Sequence, residues 1–496
     1  MSSRALAEQE LEPVAPVNGP PAAAVDPKLS FRIKLSYGLG EMAEGVKSAA
    51  LETFLFFYYV QVVGLSGSLV GLALMIALLF DGLVDPLVGN ISDNLRHRLG
   101  RRHPFLYAAP VPLAIGIVLL FSPPDGLSQW GLFAWLLGFA AFARLMQTFY
   151  FVPHMALGAE LSTDFHERVS VAGYRTVFSY LGRLLTLWVA FTFMFRSTPA
   201  YQNGQLNPDA YLPMAAACAL IAGAAILVSA LGTQARARQV YAAGLRSGTP
   251  ERAGIFKTVR TAFQLRPFTI YFVAILISYI LGGVQATLNV HVNTYYWRLP
   301  PEGIQWVLFG TVFGIIAGVF PARALAHRWD KKPVYIACVI GSVTVSAVPI
   351  LLAEAGWLPV GDKTVLTRIL FANAFVSGLI GGPAFVIAGA MLADIADAYR
   401  HRFGTRSEGA LFGASAFTRK ASLGLGGAMA GVALDIIRFP RGVPVEAVPH
   451  EATVKLALLY GPAMLIFTAI SMSIMATYNL DRRTHEAILR DLGERR

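Results

Sequence analysis

The sequence is poor in cysteine and in charged residues. Its two cysteines, Cys218 and Cys338, fall in separate apolar stretches, so we expect two free thiols and no disulfide. Charged residues make up 14% of the 496-residue chain, whereas hydrophobic residues make up 55%. A soluble protein of this length could not keep so much apolar surface from water. The composition therefore excludes a soluble globular fold.

Motifs for catalysis and for ATP binding are also missing. No glycine-rich phosphate loop ending in Lys-Ser or Lys-Thr occurs, and the nine histidines are scattered rather than set at metal-ligand spacing. Residues 1–28 lack the apolar core of a signal peptide, so we expect a disordered tail and a first helix that inserts uncleaved. We therefore expect a protein that is not an enzyme and has no cofactor.

Long apolar runs, by contrast, recur along the whole chain. A run of about 20 residues is long enough to cross the roughly 30 Å hydrocarbon core of a bilayer. We read twelve such spans, α1 to α12, at 35–63, 67–93, 104–122, 129–158, 169–195, 211–233, 268–296, 303–326, 333–356, 367–393, 408–437 and 454–479. The chain is predicted to be an all-α membrane protein.

Basic residues are distributed unevenly between the two sides of these spans. Of the 41 lysines and arginines, 27 fall on the side of both termini and seven lie in or beside loops on the other side. Cytoplasmic loops carry such an excess, so both termini are predicted to be cytoplasmic. The net charge of +11 then reflects topology, and we expect no nucleic-acid partner.

The domain organisation follows from the longest hydrophilic interruption, a central cytoplasmic loop at 234–267. It separates six-helix halves at 31–233 and 268–480, with cytoplasmic tails at 1–30 and 481–496. The halves are related by a repeat with an offset of 229 residues, in which Gly89 corresponds to Gly318 and Arg102-His103-Pro104 to Lys331-Lys332-Pro333. We therefore predict two pseudo-symmetric halves.

Two aspartates lie deep inside α2. Asp81 and Asp85 are four residues apart and share one helix face. If Asp93 marks the cytoplasmic end, Asp85 lies roughly 12 Å and Asp81 roughly 18 Å from that end. Ionised carboxylates at that depth cost at least a few kcal/mol each and need a partner. The repeat aligns them with Gly310 and Gly314, so the pair belongs to one half only, which favours a functional role.

The loop after α2 resembles the signature loop of the major facilitator superfamily. It reads Gly89-Asn-Ile-Ser-Asp93-Asn-Leu-Arg-His-Arg-Leu-Gly100-Arg101-Arg102. We expect Asp93, Arg101 and Arg102 to pair with neighbouring helix ends in one gating state. In the second half, Asp394 and Asp397 with the arginines that follow echo this loop and predict a second cytoplasmic latch, with Arg400, Arg402 and Arg406 as its basic residues.

A closer resemblance is carried by five further motifs. They are Leu35-Ser-Tyr-Gly-Leu-Gly, Asp81-Gly-Leu-Val-Asp85-Pro, Val152-Pro-His-Met-Ala-Leu-Gly-Ala-Glu160-Leu, Met391-Leu-Ala-Asp394-Ile-Ala-Asp397 and Gly404-Thr-Arg406-Ser-Glu408-Gly. Over residues 35 to about 480 the chain is similar to the glycoside–pentoside–hexuronide cation symporters, typified by the melibiose permease. This resemblance implies a major facilitator fold of twelve helices and symport driven by Na⁺ or H⁺.

The resemblance also implies a cation site. In that family the two α2 aspartates bind the cation beside a threonine of α4, which corresponds here to Asp81, Asp85 and Thr148. The aspartates would be the metal ligands if the ion is Na⁺, and they could alternatively take a proton. Val84 stands where the melibiose permease has an asparagine, so one oxygen ligand is missing and both ions stay open. A purely structural alternative is a salt bridge with Arg175 or Lys420 and no bound ion.

The sugar site departs from the family pattern. The two acids and the tryptophan that hold the sugar in the melibiose permease align here with Gly45, Phe151 and Met155. We therefore do not expect recognition of that galactoside. Family membership favours a sugar or glycoside as the substrate. The alternative is an amphiphile such as a lysophospholipid, because the animal lysophosphatidylcholine symporters resemble the same family and Phe151 makes the pocket more apolar.

The candidate substrate residues come from both halves. Arg175 and Lys420 match basic residues that the family places in the substrate pocket and near the cation site. Gln285 and Asn289 belong to a polar stripe on α7, for which interhelical hydrogen bonding is the alternative. The full set is Glu44, Phe151, Arg175, Gln285, Asn289 and Lys420.

These inferences together predict an alternating-access symporter of the bacterial inner membrane. We expect a monomer whose partners are the bilayer, a monovalent cation and a small-molecule substrate. A non-transporting sensor or channel is the alternative from another class, and ion-dependent uptake would separate the two.

Overall fold

The computed structural model describes residues 28–162, 164–242, 255–405 and 407–494, and within them the chain forms helices and no strand. Twelve membrane helices are present, at 31–62 (α1), Gly67–Asn94 (α2), 103–120 (α3), Gln129–Glu160 (α4), His166–Met194 (α5), Tyr211–Ala242 (α6), Arg266–Tyr296 (α7), Pro301–Val319 (α8), Lys331–Glu354 (α9), Lys363–Phe403 (α10), Glu408–Ile436 (α11) and His450–Ala476 (α12). Three further α-helices in the described ranges are Ile255–Ala262, Ala322–Trp329 and Arg482–Glu494.

Nine of the helices in the described ranges are long and apolar enough to cross a membrane. The other three differ for local reasons. Helix α1 is divided into short α-helical and π-helical segments, and α3 is interrupted at Ala109 before its apolar segment Pro110–Leu120. Helix α11 is 29 residues long but carries Arg419 and Lys420 near its middle. Together these helices form the predicted twelve-helix all-α architecture.

Several predicted helix ends were wrong. The span predicted at 303–326 is two helices, because Pro321 has no backbone N–H to continue the hydrogen-bond ladder after α8. Helix α6 continues to Ala242, beyond the predicted end at 233, and α10 extends over 41 residues. Its length of about 61 Å is twice the thickness of the hydrocarbon core, so α10 projects beyond the membrane.

The two halves have the same internal packing. In the first half α2 packs on α4, α3 packs on α4 and α6, and α1 packs on α5 and α6. In the second half the corresponding pairs are α8 on α10, α9 on α10 and α12, and α7 on α11 and α12. This agreement confirms the two pseudo-symmetric halves. Cys218 and Cys338 are buried in different halves and are not paired.

The halves are joined by hydrogen bonds at one end of the bundle. We call the end at which α1 begins the base and the opposite end the top. At the top, Tyr295 donates to Gln61 (2.9 Å), Thr294 donates to Gln205 (3.1 Å) and Thr192 donates to Gln305 (3.1 Å). These contacts close the top of the interface.

Helices α2 and α11 form the most extensive contact between the halves. Gly67 and Gly431 meet at the top, where a Cβ added to Gly431 would lie 1.9 Å from the Gly67 carbonyl oxygen. Only glycine permits so close an approach. Asp435 of α11 accepts hydrogen bonds from the first backbone N–H groups of α2, those of Gly67 (3.2 Å) and Ser68 (2.8 Å). This contact sets the α2 carboxylates against α11.

Candidate functional site

The two predicted aspartates lie side by side at the interface of the halves. Asp81 is buried, with 6% of its surface exposed, while the side chain of Asp85 is 30% exposed. Thr148 of α4 lies between them, with its hydroxyl oxygen 2.7 Å from Asp81 Oδ1 and 3.0 Å from Asp85 Oδ1. A hydroxyl donates only one proton, so it serves one carboxylate at a time. The structure therefore brings together all three predicted cation-binding residues.

Lys420 completes this cluster from the other half. Its Nζ lies 3.0 Å from Asp81 Oδ2 and 2.6 Å from Asp85 Oδ2. Buried Arg144 of α4 contributes a second positive charge, with Nη1 3.9 Å from Asp81 Oδ2. Two carboxylates and two basic groups thus balance in charge in this conformation. One of the two salt bridges considered from the sequence, that with Lys420, is present.

Arg144 was not expected in the cluster. The signal that could have identified it is its spacing, since it lies four residues before Thr148 and so on the same face of α4. We call the set Asp81, Asp85, Arg144, Thr148 and Lys420 the carboxylate cluster.

Arg175 lies elsewhere, in an ion pair inside the first half. Its Nε and Nη2 each lie 3.1 Å from a carboxylate oxygen of Glu41. His154 Nδ1 is 3.5 Å from the same carboxylate, and its ring stacks on Tyr37. The Arg175 guanidinium is therefore already matched by an acid of α1.

Glu44 and Phe151, the other candidate substrate residues from the first half, lie outside the carboxylate cluster. Glu44 accepts hydrogen bonds from Lys47 (2.8 Å) and from Gln147 of α4 (2.9 Å). Gln147 precedes Thr148, so Glu44 is close to the carboxylate cluster without joining it. Phe151 is partly buried against a hydrophobic core to which both halves contribute.

Gln285 and Asn289 lie in the second half. Gln285 donates to the backbone carbonyl of Tyr460 (3.3 Å), and Asn289 donates to the Tyr460 hydroxyl (2.8 Å). Both also line a cavity inside that half. The six predicted substrate residues therefore form no single pocket: three lie in the first half, two line this cavity, and Lys420 belongs to the carboxylate cluster.

Among its described residues, the second half holds no counterpart of the carboxylate cluster. Gly310 and Gly314 occupy the positions equivalent to Asp81 and Asp85, and there α8 touches the backbone of α10. A Cβ on Gly314 would lie 2.1 Å from the Phe375 carbonyl oxygen. At the positions equivalent to Asp81 and Asp85, α8 and α10 therefore pack too closely for any side chain. This close packing is consistent with a carboxylate pair in the first half only.

The predicted gating residues form two clusters at the base. Arg102 is buried and donates to Asp93, Ser92 and Glu160, and Arg101 Nη2 lies 3.1 Å from Glu160 Oε1. Sequence reasoning missed Glu160 as the partner of both arginines. Its position at the end of α4, which packs on α2, could have suggested it.

The cluster in the second half has partners other than those expected. Asp394 pairs with Lys331 of α9, whose Nζ lies 2.5 Å from Asp394 Oδ2, and Asp397 Oδ2 lies 3.0 Å from His485 Nε2. His485 belongs to the helix Arg482–Glu494, which docks on the end of α10. Arg406 lies outside the described residues. The aspartates are thus paired by residues that are distant in sequence.

Helix number, two-half packing and a charged cluster between the halves define a membrane transporter of the major facilitator fold. The family model described as MFS/sugar transport protein matches residues 36–482, so the chain belongs to this family. Members of this family are transporters rather than enzymes, and the predicted symporter resemblance is confirmed at this level.

Individual relatives are distant but nearly full length. An uncharacterized symporter of Synechocystis is 24% identical over 94% of this chain and 97% of its own. An isoprimeverose transporter of Lactiplantibacillus pentosus is 23% identical over 81% of this chain and 79% of its own. Among solved structures, the nucleoside transporter NupG superposes with a TM-score of 0.64 at 12% identity, covering 90% of this chain and 100% of NupG. That likeness shows the fold alone.

Proposed function

We propose that the protein is a cation-coupled symporter that imports a sugar or a glycoside by alternating access. The observation that carries this proposal is the carboxylate cluster, in which Thr148 lies between Asp81 and Asp85 while Lys420 reaches them from the other half. The names of the relatives, a symporter and an isoprimeverose transporter, point in the same direction.

The charge balance of the cluster suggests how an ion is coupled to motion of the halves. Here the ammonium of Lys420 supplies the positive charge that the buried carboxylates require. The carboxylates belong to α2 and Lys420 to α11, so a motion that separates these helices at this depth removes the ammonium. A cation from solution then takes its place. The carboxylates thus bind Lys420 in one conformation and the coupling ion in the other.

The ligand set is compatible with Na⁺ or H⁺. Asp81, Asp85 and Thr148 offer carboxylate and hydroxyl oxygens, the type of donor that a hard cation prefers, and each carboxylate can instead take a proton. In the described part of the chain no three His, Cys, Asp or Glu side chains meet as a metal site. We therefore propose a monovalent coupling ion.

The two base clusters are proposed to keep each half rigid while it moves. Arg102 ties the ends of α2 and α4 together, and Lys331 ties the start of α9 to α10. The excess of basic residues in the loops on this side supports a cytoplasmic base. The hydrogen-bonded top then closes the outer side of the protein.

An amphiphile such as a lysophospholipid is the second candidate substrate. Met155 stands where the melibiose permease has its sugar-stacking tryptophan, and 39% of its surface is exposed. Together with Phe151 it gives this part of the first half an apolar character, which favours an acyl chain over a sugar there.

Uptake into proteoliposomes tests the proposal directly. We expect accumulation of a pentoside or hexoside against its gradient when an inward Na⁺ or H⁺ gradient is imposed, and equilibration without one. A panel of sugars, 4-nitrophenyl glycosides and lysophosphatidylcholine distinguishes the two substrate classes. Uptake that is independent of every imposed ion gradient would contradict coupling between the ion and the substrate.

Replacing Lys420 by Met is expected to make stability depend on the coupling ion. Removing one partner of a buried ion pair costs about 3 kcal/mol, because the carboxylates lose their nearest positive charge. Added Na⁺, or a proton at low pH, should restore part of that loss by binding the folded state. Melting temperatures in lipid nanodiscs, with choline chloride as the ionic-strength control, measure the effect.

Lys455→Met is the matched control for that variant. Lys455 pairs with exposed Glu451 at the start of α12, away from the carboxylate cluster. The melting temperature of the Lys455→Met variant should depend on Na⁺ and on pH no more than that of the unmodified protein. A Lys420→Met protein equally insensitive to both ions would contradict the exchange of ammonium for ion.

A further inference from the structure

A buried histidine of α4 faces a carboxylate of α1 inside the first half. His154 has no exposed surface, and 4% of the surface of Glu41 is exposed. His154 Nδ1 lies 3.5 Å from Glu41 Oε2, and within the described residues it makes no hydrogen bond. The pair shares no residue with the carboxylate cluster. We call His154 and Glu41 the histidine–glutamate site.

The second ring nitrogen of His154 indicates where the neutral ring carries its hydrogen. Nε2 lies 3.1 Å from the backbone carbonyl oxygen of Tyr37 and 3.2 Å from Ser229 Oγ of α6. A carbonyl oxygen only accepts hydrogen bonds, so Nε2 is the donor and carries the hydrogen. The neutral ring then has a bare lone pair at Nδ1, and this lone pair faces the Glu41 carboxylate.

Stacking holds the His154 ring in this orientation. Its centroid lies 4.3 Å from that of the Tyr37 ring, at an interplanar angle of 11°, and 5.0 Å from that of the Tyr150 ring. The Tyr37 hydroxyl also donates to the His154 backbone carbonyl at 3.0 Å. The ring therefore cannot turn Nδ1 away from the carboxylate without losing its stacking and its Nε2 hydrogen bond.

A proton between Nδ1 and Oε2 would turn this contact into a strong hydrogen bond. Two buried acceptors that face each other leave one another without a partner, which is costly. A proton on Nδ1 makes the ring an imidazolium, which donates a charge-assisted hydrogen bond to the carboxylate. A carboxylate oxygen has two lone pairs, so Oε2 can accept this bond and keep that from Arg175 Nε at 3.1 Å.

The groups around the site leave one net charge for the proton to add. Apart from Glu41, the described ionisable groups near His154 are Tyr37 on α1, His103 on α3, Tyr150 on α4 and Arg175 on α5, while α6 contributes the neutral Ser229. Arg175 balances Glu41 in charge. Its side chain is 21% exposed, and a charged group within a membrane protein faces a water-filled space rather than lipid. A proton therefore has a route to the site.

We propose that His154 and Glu41 form a proton-binding site, separate from the carboxylate cluster, in which the proton is held between His154 Nδ1 and Glu41 Oε2. The occupied site is an imidazolium–carboxylate pair. The empty site is a neutral ring that faces the ion pair of Glu41 with Arg175. Proton binding does not depend on the proposed function. Its use in transport does, since a symporter would then move a proton together with the cation of the carboxylate cluster.

Solid-state NMR of the full chain in lipid bilayers tests the site without any variant. The chain carries ¹⁵N in its histidine rings and ¹³C in its glutamate carboxyl groups. Among the described residues, His154 is the histidine that pairs with a glutamate, and the other histidine ion pairs involve aspartates. A ring nitrogen coupled to a glutamate carboxyl carbon therefore identifies the site.

That coupled histidine is expected to take up a proton at Nδ1 as the pH falls. Its Nδ1 signal should move from the unprotonated to the protonated shift between about pH 8 and about pH 5, while Nε2 stays protonated throughout. An Nδ1 signal that stays unprotonated over this range would overturn the site. The absence of any coupling between a histidine ring and a glutamate would overturn it as well.

Two variants test whether the carboxylate holds the proton. Glu41→Gln keeps the size of the side chain and removes its charge, so the proton affinity of His154 should fall at least about tenfold. His154→Gln assigns the NMR signal by removing it, and it should lower by about one the protons that the chain takes up on acidification, measured with an indicator dye. An unchanged affinity in Glu41→Gln would show an isolated histidine and contradict the proposal.

His291→Phe is the matched control. His291 of α7 is as buried as His154, but it lies among aromatic rings, including those of Phe56 and Phe57, and no described carboxylate pairs with it. Phenylalanine fits these surroundings, so the variant should keep the proton uptake of the unmodified chain. A loss as large as that in His154→Gln would show that uptake does not depend on the carboxylate, and would overturn the site.

The proton site can be tested separately from ion coupling. Asp81→Asn/Asp85→Asn removes the acids of the carboxylate cluster and should keep the proton affinity of His154 within about threefold. If His154 titrates as expected while uptake of substrate is independent of every ion gradient, the proposed function fails and the site stands. If uptake follows an ion gradient while Nδ1 stays unprotonated, the site fails and the proposed function stands.

Discussion

The double variant Asp81→Asn/Asp85→Asn is expected to abolish accumulation of substrate while sparing exchange at equal concentrations. Asparagine keeps the size of aspartate and can accept the Thr148 hydrogen bond, but it carries no charge and takes up no proton. Without ion binding, the ion gradient no longer affects substrate affinity. The ratio of internal to external substrate at steady state should fall to about one, measured in proteoliposomes under the gradient that drives the unmodified protein.

Two controls separate coupling from folding in that experiment. Asp362→Asn changes an exposed aspartate that caps α10, and it should retain accumulation. The double variant leaves the Lys420 ammonium without its carboxylates, so it should lose stability. Adding Lys420→Met removes that unpaired charge and should recover the melting temperature but not accumulation. Concentrative uptake by the double variant would rule out the aspartates as the coupling site.

Gly314→Ala is expected to produce a large loss of stability. The new Cβ would lie 2.1 Å from the Phe375 carbonyl oxygen and 2.9 Å from the Leu379 backbone nitrogen. Both are backbone atoms and cannot rotate away, so α8 and α10 must separate. A cost of about 3 kcal/mol follows from overpacking a buried contact. A thermal melt in nanodiscs, read by intrinsic fluorescence, measures the expected fall in melting temperature.

Gly389→Ala is the control on the same helix pair. Gly389 lies on α10 with no atom within 4 Å of an added Cβ. Alanine also has the higher helix propensity, so its effect should be neutral or stabilising by up to about 1 kcal/mol. Equal melting temperatures for the two variants would show that α8 and α10 do not touch as closely as the structure indicates.

The fold and the carboxylates could be predicted because both follow from local pattern. Apolar runs of membrane length gave the twelve helices, and a four-residue spacing put Asp81 and Asp85 on one face. Spacing along α2 could not identify Thr148 and Lys420 as neighbours of the aspartates, since these two residues lie on other helices. The family resemblance supplied them as neighbours.

What could not be predicted depends on partners distant in sequence. His485 pairs with Asp397 only because the C-terminal helix folds back on α10. Glu41 pairs with Arg175 across α1 and α5, and a single sequence gives no sign of which acid meets which base. The predicted end of α8 was wrong for a different, local reason, because hydropathy does not register the missing N–H of Pro321.

The cavity inside the second half was only partly visible from the sequence. The polar stripe on α7 with Gln285 and Asn289 was recognised, but the polar residues that line the cavity from α9 and α10 stand singly inside apolar runs. Such side chains normally form hydrogen bonds within the membrane and give no separate signal. Their position around one cavity depends on the packing of α7, α9 and α10.

The contact of Asp435 with the start of α2 also provides a pivot point for that helix. Gly67 and Ser68 are fixed to α11 at the top, while Asp81 lies about 21 Å and Asp85 about 27 Å further along the helix. A tilt of only about 10° about this point would carry the carboxylates roughly 4 Å sideways. That distance exceeds the 2.6–3.0 Å separating them from the Lys420 ammonium. In the proposed transport cycle, a small rotation of α2 about its anchored end would therefore be enough to separate the carboxylates from the Lys420 ammonium.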